Sequence, residues 1–275
     1  MSKTEHKLYI GNAKQELLNI TNNSIQLIVT SPPYWNARNY EHSQQIGFND
    51  TYEEYLKALG QIFEECVRVL LPDGKIALNI GNIYNKDNIE KRTYTVNLVL
   101  DLWKILSEFK VLRYMGTIFW KKTTSRNGAV LFGSYPYPSN FMISTALEPI
   151  HVFRKIGKRK IPKEVKEKSR ISKAEFRELR EPIWYLNGTS KKAHPAVFPN
   201  ELPHRLIKMY SFYGDIVLDP FCGIGTANVE ALRLGRDSIG IDVREDYVET
   251  TVSNLKRIKE PAAISIFNHG EDIYE

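Results

Sequence analysis

The sequence predicts an α/β protein built on a mostly parallel sheet, and three observations predict it. Apolar, β-branched runs alternate with helical periodicities along nearly the whole chain. One strand leads into a glycine-containing loop that opens a helix, Asp219-Pro220-Phe221-Cys222-Gly223-Ile224-Gly225-Thr226, and the next strand ends on an acid, Asp242. A further strand runs into Thr30-Ser31-Pro32-Pro33-Tyr34-Trp35, at the kind of strand end where α/β enzymes place their ligands.

In chain order, Leu8 to Ile10 is a short strand closing at Gly11-Asn12, and Ile25 to Val29 is the next. Thr51-Tyr52-Glu53-Glu54 has capping-box spacing, and apolar residues at helical intervals carry a helix to a stop at Leu71-Pro72-Asp73-Gly74. Cys66 falls on the apolar face of that helix and reads as core. Lys75 to Ile80 is a strand, Thr95 to Phe109 a helix, Val111 to Trp120 a strand ending at Lys121-Lys122, and Pro149 to Phe153 another strand. The loop from Ser125 to Asn140 is longer than ordinary connections and rich in turn formers. Ile156 to Lys192 is helical by composition but poorly periodic, which reads as an insertion. The alternation then resumes: Asn200 caps a helix to Phe212, Ile216 to Asp219 is a strand, Thr226 to Leu234 a helix, Ser238 to Asp242 a strand and Glu245 to Ile258 a helix, followed by a tail.

At 275 residues, with 42% hydrophobic and 25% charged residues, the chain is expected to form one domain over residues 1–275. No apolar segment follows a basic start, and no stretch approaches the roughly 18 uninterrupted apolar residues of a membrane span, so the expected location is the cytoplasm. Two cysteines without CxxC spacing, and scattered histidines, argue against a disulfide framework or a metal site. Charge is concentrated in one place: residues 154–192 carry 14 Lys and Arg against 5 Asp and Glu, while the whole chain is only +6. Such a run is either a solvated face or a phosphate-contacting surface.

The two motifs carry complementary chemistry. Two consecutive prolines remove two N–H donors, leaving nearby carbonyls as acceptors, Ser31 adds another, and Tyr34 and Trp35 offer flat faces. A planar group bearing an amine suits that site, although a Pro-Pro turn with two core aromatics has the same sequence. The glycine loop lets a ligand approach the backbone at a helix start, and Asp242 can take both hydroxyls of a ribose. Glycines in this spacing also suit NAD, a flavin or a tight turn. The spacing is not G-x-G-x-x-G, and Asp219 at the loop entrance would repel a pyrophosphate but suit a cationic amino acid moiety, which together indicate S-adenosyl-L-methionine.

Thr30-Ser31-Pro32-Pro33-Tyr34, His194-Pro195-Ala196-Val197-Phe198-Pro199, Asp219 to Thr226 and Gly240-Ile241-Asp242 together resemble the amino-group DNA methyltransferases of the beta arrangement. The resemblance spans nearly the whole chain. It implies a Rossmann-like, mostly parallel seven-stranded sheet with one antiparallel strand, circularly permuted. It also implies a target-recognition region at residues 154–193 and restriction-modification partners: double-stranded DNA and a cognate endonuclease, with the methyltransferase a monomer or homodimer. Catalysis is then expected at Ser31, Pro32, Pro33 and Tyr34, and cofactor contact at Asn12, Thr30, His194, Phe198, Asp219, Phe221, Cys222, Gly223, Gly225, Thr226 and Asp242. DNA contact is expected at Trp35, Arg38, Lys121, Lys122, Lys158, Arg159 and Lys160; core packing for Trp35 and simple solvation for the lysines are the alternatives. Asn12 stands where the family often has Asp. Ser before Pro-Pro-Tyr is commoner among its cytosine-N4 enzymes than its adenine-N6 enzymes, so cytosine N4 is the expected target and adenine N6 the alternative.

Chemically, Ser31 and the Pro32 carbonyl can accept both hydrogens of an exocyclic amine and aim its lone pair at a methyl group, with Tyr34 stacked on an extruded base. Methylation at cytosine carbon-5 would need a nucleophilic cysteine, and Cys222 is badly placed for that. An RNA or protein amine is a second substrate class for the same pocket. A non-catalytic DNA-binding module is a third reading, but it predicts a broken motif, and none is broken here.

Overall fold

The computed structural model describes residues 3–122, 136–139, 141–187 and 198–268. The expected loop from Ser125 to Asn140 lies almost wholly outside the described residues, and His194 lies outside them too. The chain runs β1 (Thr4–Ile10), α1 (Ala13–Glu16), a 3-10 turn (Leu17–Asn19), β2 (Ile25–Thr30), α2 (Tyr52–Val69), β3 (Leu70–Asn79), β4 (Ile83–Lys86), β5 (Thr93–Val96), α3 (Leu98–Glu108) and β6 (Leu112–Lys122). There follow β7 (Leu147–Lys155), α4 (Lys163–Lys168), α5 (Lys173–Leu179), β8 (Ile183–Leu186), α6 (Glu201–Tyr210), β9 (Ile216–Asp219), α7 (Thr226–Arg233), β10 (Asp237–Asp242), α8 (Glu245–Lys256) and β11 (Ala262–Asn268).

The main sheet has nine strands in the order β11-β1-β10-β9-β2-β3-β7-β6-β8, where seven were expected. β7 is antiparallel to both of its neighbours and the other pairings are parallel. The two additional strands lie at the edges. β11 comes from the segment read as a tail, where Ala262–Asn268 pairs along β1. β8 comes from the segment read as an insertion, and it is part of the sheet because Trp184 and Leu186 alternate inward to a buried face beside β6.

Local signals set most element boundaries. Thr51 and Glu54 form the expected reciprocal capping box at the start of α2, whose inner face, including Tyr55, Phe63 and Cys66, is buried. The stop after α2 is not a free turn. Leu70 to Gly74 enters β3 directly, with a register shift against β2 and Asp73 at φ 69 absorbing the extra residues. α3 begins at Leu98 rather than Thr95, because Asn97 accepts from the Leu100 N–H as its cap while Thr93–Val96 pairs with β4. Asn200 makes no capping bond through its side chain.

Because the strands flanking the centre are parallel, the ends of β1, β2, β3, β9 and β10 fall on one edge of the sheet. The start of β7 joins them because that strand is reversed. No helix among the described residues is long and apolar enough to cross a membrane.

Candidate active site

At this edge the two motifs meet, although nearly 190 residues separate them in sequence. The Thr30 hydroxyl, at the end of β2, donates to Asp219 Oδ1, at the end of β9, over 2.8 Å. Asp219 also accepts from the Phe221 N–H at 3.1 Å. Both residues are buried, and burial pushes the Asp219 carboxyl up to about 7. Thr30 and Asp219 thus latch the two loops together, and neither is among the residues that line the cleft. Thr30→Val should cost about 1–3 kcal/mol of stability, because it strips a donor from a buried carboxyl; urea denaturation checks it.

In front of the latch lies a cleft of about 860 Å³ open to solvent. Of the expected residues, Ser31 and Pro33 line it together with Asn12, Phe198, Phe221, Cys222, Gly223, Thr226 and Asp242. Asp242 organises the floor: Oδ2 accepts from the Gly223 N–H at 2.9 Å and Oδ1 from the Arg244 N–H at 3.0 Å. Burial raises its carboxyl to about 6. Gly225 is a hinge behind the cleft, at φ 74, where a Cβ would come within 2.2 Å of Thr251, so glycine is required there for backbone and space rather than for ligand contact. Asn12 caps α1 through Oδ1, which accepts from the Lys14 N–H, so its amide is engaged by the backbone as well as facing the cleft. Cys222 is buried and its thiol is pushed well above its ordinary range, so it is no nucleophile.

The Ser-Pro-Pro-Tyr loop is held from several sides. The Tyr34 hydroxyl accepts from the Gly81 N–H at 2.8 Å and interacts with Ser31, and the Tyr55 hydroxyl donates to the Pro33 carbonyl at 3.0 Å. Pro32 is buried, and no donor among the described residues reaches its carbonyl. Tyr34 is half-buried against the core, and burial raises its phenol well above the usual range.

Several side chains that sequence reasoning missed complete the cleft. Tyr40, Gln44 and Ile46 come from the loop after the catalytic motif, Arg244 from the turn after β10 and Tyr247 from the first turn of α8. Arg244 ties the two together by donating to the Tyr40 carbonyl at 3.0 Å while its guanidinium lies 4.3 Å over the Tyr247 ring. Position just past Asp242 was a usable signal for Arg244 and Tyr247; the loop residues carry none.

The expected DNA contacts divide. Trp35 packs edge-on to Tyr52 and donates to the Asp50 carbonyl, so it anchors its loop on α2 and is core rather than interface. Arg38 lies close enough to Tyr40 and Tyr247 for its charge to act on both phenols, which burial raises and which Arg38 partly offsets. Lys121 and Lys122 end β6 at the catalytic edge, with Lys122 paired to Glu148. The Lys158, Arg159 and Lys160 cluster is misplaced. It follows β7, whose end at Arg154 is level with Lys75 at the start of the parallel array, so it sits on the opposite edge. Arg159 is bound there bidentately to Asp215 and lies over Phe212, a structural pair. Among the described residues no group of acids, histidines and cysteines could hold a metal ion.

Comparison with known proteins shows the family of the chain. Residues 25–253 match the DNA methylase family of the N6 and N4 amino group. The chain belongs to this family. The type II methyltransferase M.MjaI of Methanocaldococcus jannaschii is 32% identical, with 87% of this chain and 88% of that one covered. M.MthZI of Methanothermobacter thermautotrophicus is 30% identical over 99% of this chain and 84% of its own. The Thermus thermophilus protein TTHA0409, solved with S-adenosyl-L-methionine, superposes with a TM-score of 0.80 at 30% identity, covering 97% of this chain and 99% of that one. The cytosine-N4-specific PvuII methyltransferase shares the fold, with a TM-score of 0.69 at 20% identity, covering 92% of this chain and 87% of that one. In this N6/N4 methylase Ser31 and Pro33 line the same cleft as Gly223 and Asp242.

Proposed function

We propose that this methylase modifies the exocyclic N4 amine of cytosine at a specific site in duplex DNA, on a base extruded from the helix, and that it has the beta arrangement of its family. The methyl donor is S-adenosyl-L-methionine, which when bound supplies a methyl group on a positively charged sulfur. The observation that carries the reading is the shared cleft: Ser31 and Pro33 face the same space as Asn12, Gly223 and Asp242. Asp242 holds a ribose, the Gly223 loop lets the ligand lie against backbone, and the Phe221 and Phe198 rings offer apolar walls for an adenine.

On the substrate side, the Ser31 hydroxyl oxygen and the Pro32 carbonyl accept the two amine hydrogens, orienting the nitrogen lone pair. Tyr34, fixed through Gly81, stacks on the base. Ser31 is too weakly basic to remove a proton first, so the neutral amine attacks and loses its proton afterwards. Positioning supplies most of the rate. Ser before Pro-Pro-Tyr supports cytosine over adenine. Incubation with unmethylated genomic DNA and labelled cofactor, followed by nucleoside mass spectrometry, tests the assignment: N4-methylcytosine supports it, N6-methyladenine replaces the base, and no labelled nucleoside overturns it. A restriction endonuclease acting on the same site is the expected partner.

DNA approaches the catalytic edge, where Lys121 stands and where the β4–β5 hairpin projects. The hairpin carries Lys86, Lys91 and Arg92, all exposed and none in an ion pair among the described residues, around a tip on which Ile89 is 92% exposed. Asp87 prebuilds that tip by accepting from the Ile89 and Glu90 N–H groups. Of the described residues in 154–193, the end of β8 reaches the catalytic edge, so target recognition is assigned to it rather than to the start of that segment. Replacing Lys86, Lys91 and Arg92 together by Ala is expected to weaken DNA binding and to flatten its salt dependence by about 0.9 in log–log slope for each phosphate no longer neutralised. Replacing Lys158 and Lys160 is expected to change neither. Titrations at several salt concentrations read both.

A further inference from the structure

Glu148 is a buried carboxylate at the catalytic edge that the mechanism above does not use. It is the second residue of β7, opposite Trp120 and two positions before Ile150, which faces Asn79 at the end of β3. Its side chain leans on the catalytic loop through one glycine. A methyl group added at Gly81 would come within 3.0 Å of Glu148 Cγ and 3.2 Å of Oε1, and the same Gly81 donates its N–H to the Tyr34 hydroxyl at 2.8 Å. The Glu148 charge also reaches Tyr34, where it adds to burial in raising the phenol.

The carboxylate is only half committed. Lys122 donates to Oε1 and lies 5.0 Å over the Trp120 ring, and no group among the described residues donates to Oε2. The lysine side chain is 30% exposed and the glutamate 11%. Water screens the more exposed lysine more than the glutamate, and of the two charges it is that of Glu148 that acts on the Tyr34 phenol in the loop.

Such a charge matters at one moment of the reaction proposed above, on which this inference rests. As the amine nitrogen forms its new bond to carbon, the carbon–sulfur pair goes to sulfur, and the positive charge passes to the nitrogen until a proton leaves to water. We propose that Glu148, held by Lys122, is a positioning residue of the base pocket that acts beside Tyr34 and stabilises the positive charge developing on the substrate amine. Gly81 is small so that the carboxylate can stand this close.

Single-turnover label transfer to genomic DNA, calorimetric affinity for S-adenosyl-L-methionine and DNA affinity by fluorescence anisotropy test this on wild type, Glu148→Gln, and Glu148→Gln combined with Lys122→Met. Glu148→Gln should slow transfer by about 10- to 100-fold with both affinities unchanged. The double variant, in which Lys122 is no longer left unpaired, should stay slow. A wild-type rate in Glu148→Gln overturns the proposal. So does recovery in the double variant, which would make Glu148 only a partner for Lys122, and so does a rate loss matched by lost affinity, which would report damaged packing. A wild-type protein that binds cofactor and DNA but transfers no label overturns the proposed function, and this inference with it.

Discussion

Tyr34→Ala is expected to lower kcat/KM for DNA by about 10- to 100-fold, the worth of one base stacked on an aromatic ring, while changing affinity for S-adenosyl-L-methionine by less than about twofold. The split follows from the architecture. Tyr34 stands beside the cleft with its hydroxyl bound to the Gly81 N–H, whereas the cleft wall is built by its neighbours Ser31 and Pro33. Tyr34→Phe separates the two jobs of the side chain. It keeps the ring and removes the hydroxyl's hydrogen bonds with Gly81 and Ser31, at about 1 kcal/mol each, so its activity should fall about 5- to 30-fold. Steady-state kinetics on both variants, with calorimetry for the cofactor, decide the matter. Equal losses of cofactor affinity and turnover in Tyr34→Ala would refute the division.

Asp242→Asn is expected to do the reverse, weakening cofactor binding by about 10- to 100-fold through the loss of charge-assisted hydrogen bonds. The amide also turns an N–H₂ toward one of two backbone donors, Gly223 or Arg244, that the carboxylate now accepts from. The wild-type protein should show the same dependence through pH. Burial raises the Asp242 carboxyl to about 6, so the free protein is protonated there below that pH. The ionised form accepts ribose hydroxyls better than the acid, so protonation opposes binding. Affinity should therefore be flat above about pH 7 and fall toward tenfold per unit below about pH 6, and Asp242→Asn should remove that limb. Calorimetry between pH 5 and 8 in two buffers of different ionisation enthalpy would also detect the proton released on binding near pH 6. A flat profile in the wild type would show that Asp242 does not carry the cofactor.

Much of this site was readable because its chemistry is local. A strand, a glycine loop and a following acid occupy fixed positions in any parallel α/β unit, so Gly223 and Asp242 could be assigned to one ligand without coordinates. The same holds for Ser31-Pro32-Pro33-Tyr34, since missing N–H donors and an adjacent hydroxyl are properties of the residues themselves. Charge was legible as a density along the chain but not as a place in the fold. The Lys158 to Lys160 cluster sits in the most basic part of the chain, yet the reversed direction of β7 delivers it to the far edge of the sheet, where Asp215 neutralises Arg159. The hairpin cations at Lys86, Lys91 and Arg92 are balanced locally by Asp87 and Glu90 and left no mark in the sequence charge, and only the parallel pairing of β3 with β2 puts them beside the catalytic loop.

The sequence by itself determined the family, its methyl donor and most helix starts, because motif chemistry, capping and hydrophobic period act over a few residues. Tertiary structure alone decided that Thr30 bonds to Asp219, that β8 and β11 belong to the sheet, and that Glu148 stands against Gly81 beside Tyr34. Each of these depends on which strands lie side by side and in which direction they run. That is set by the packing of residues from about 60 to more than 250 positions apart, and no short window of sequence contains it.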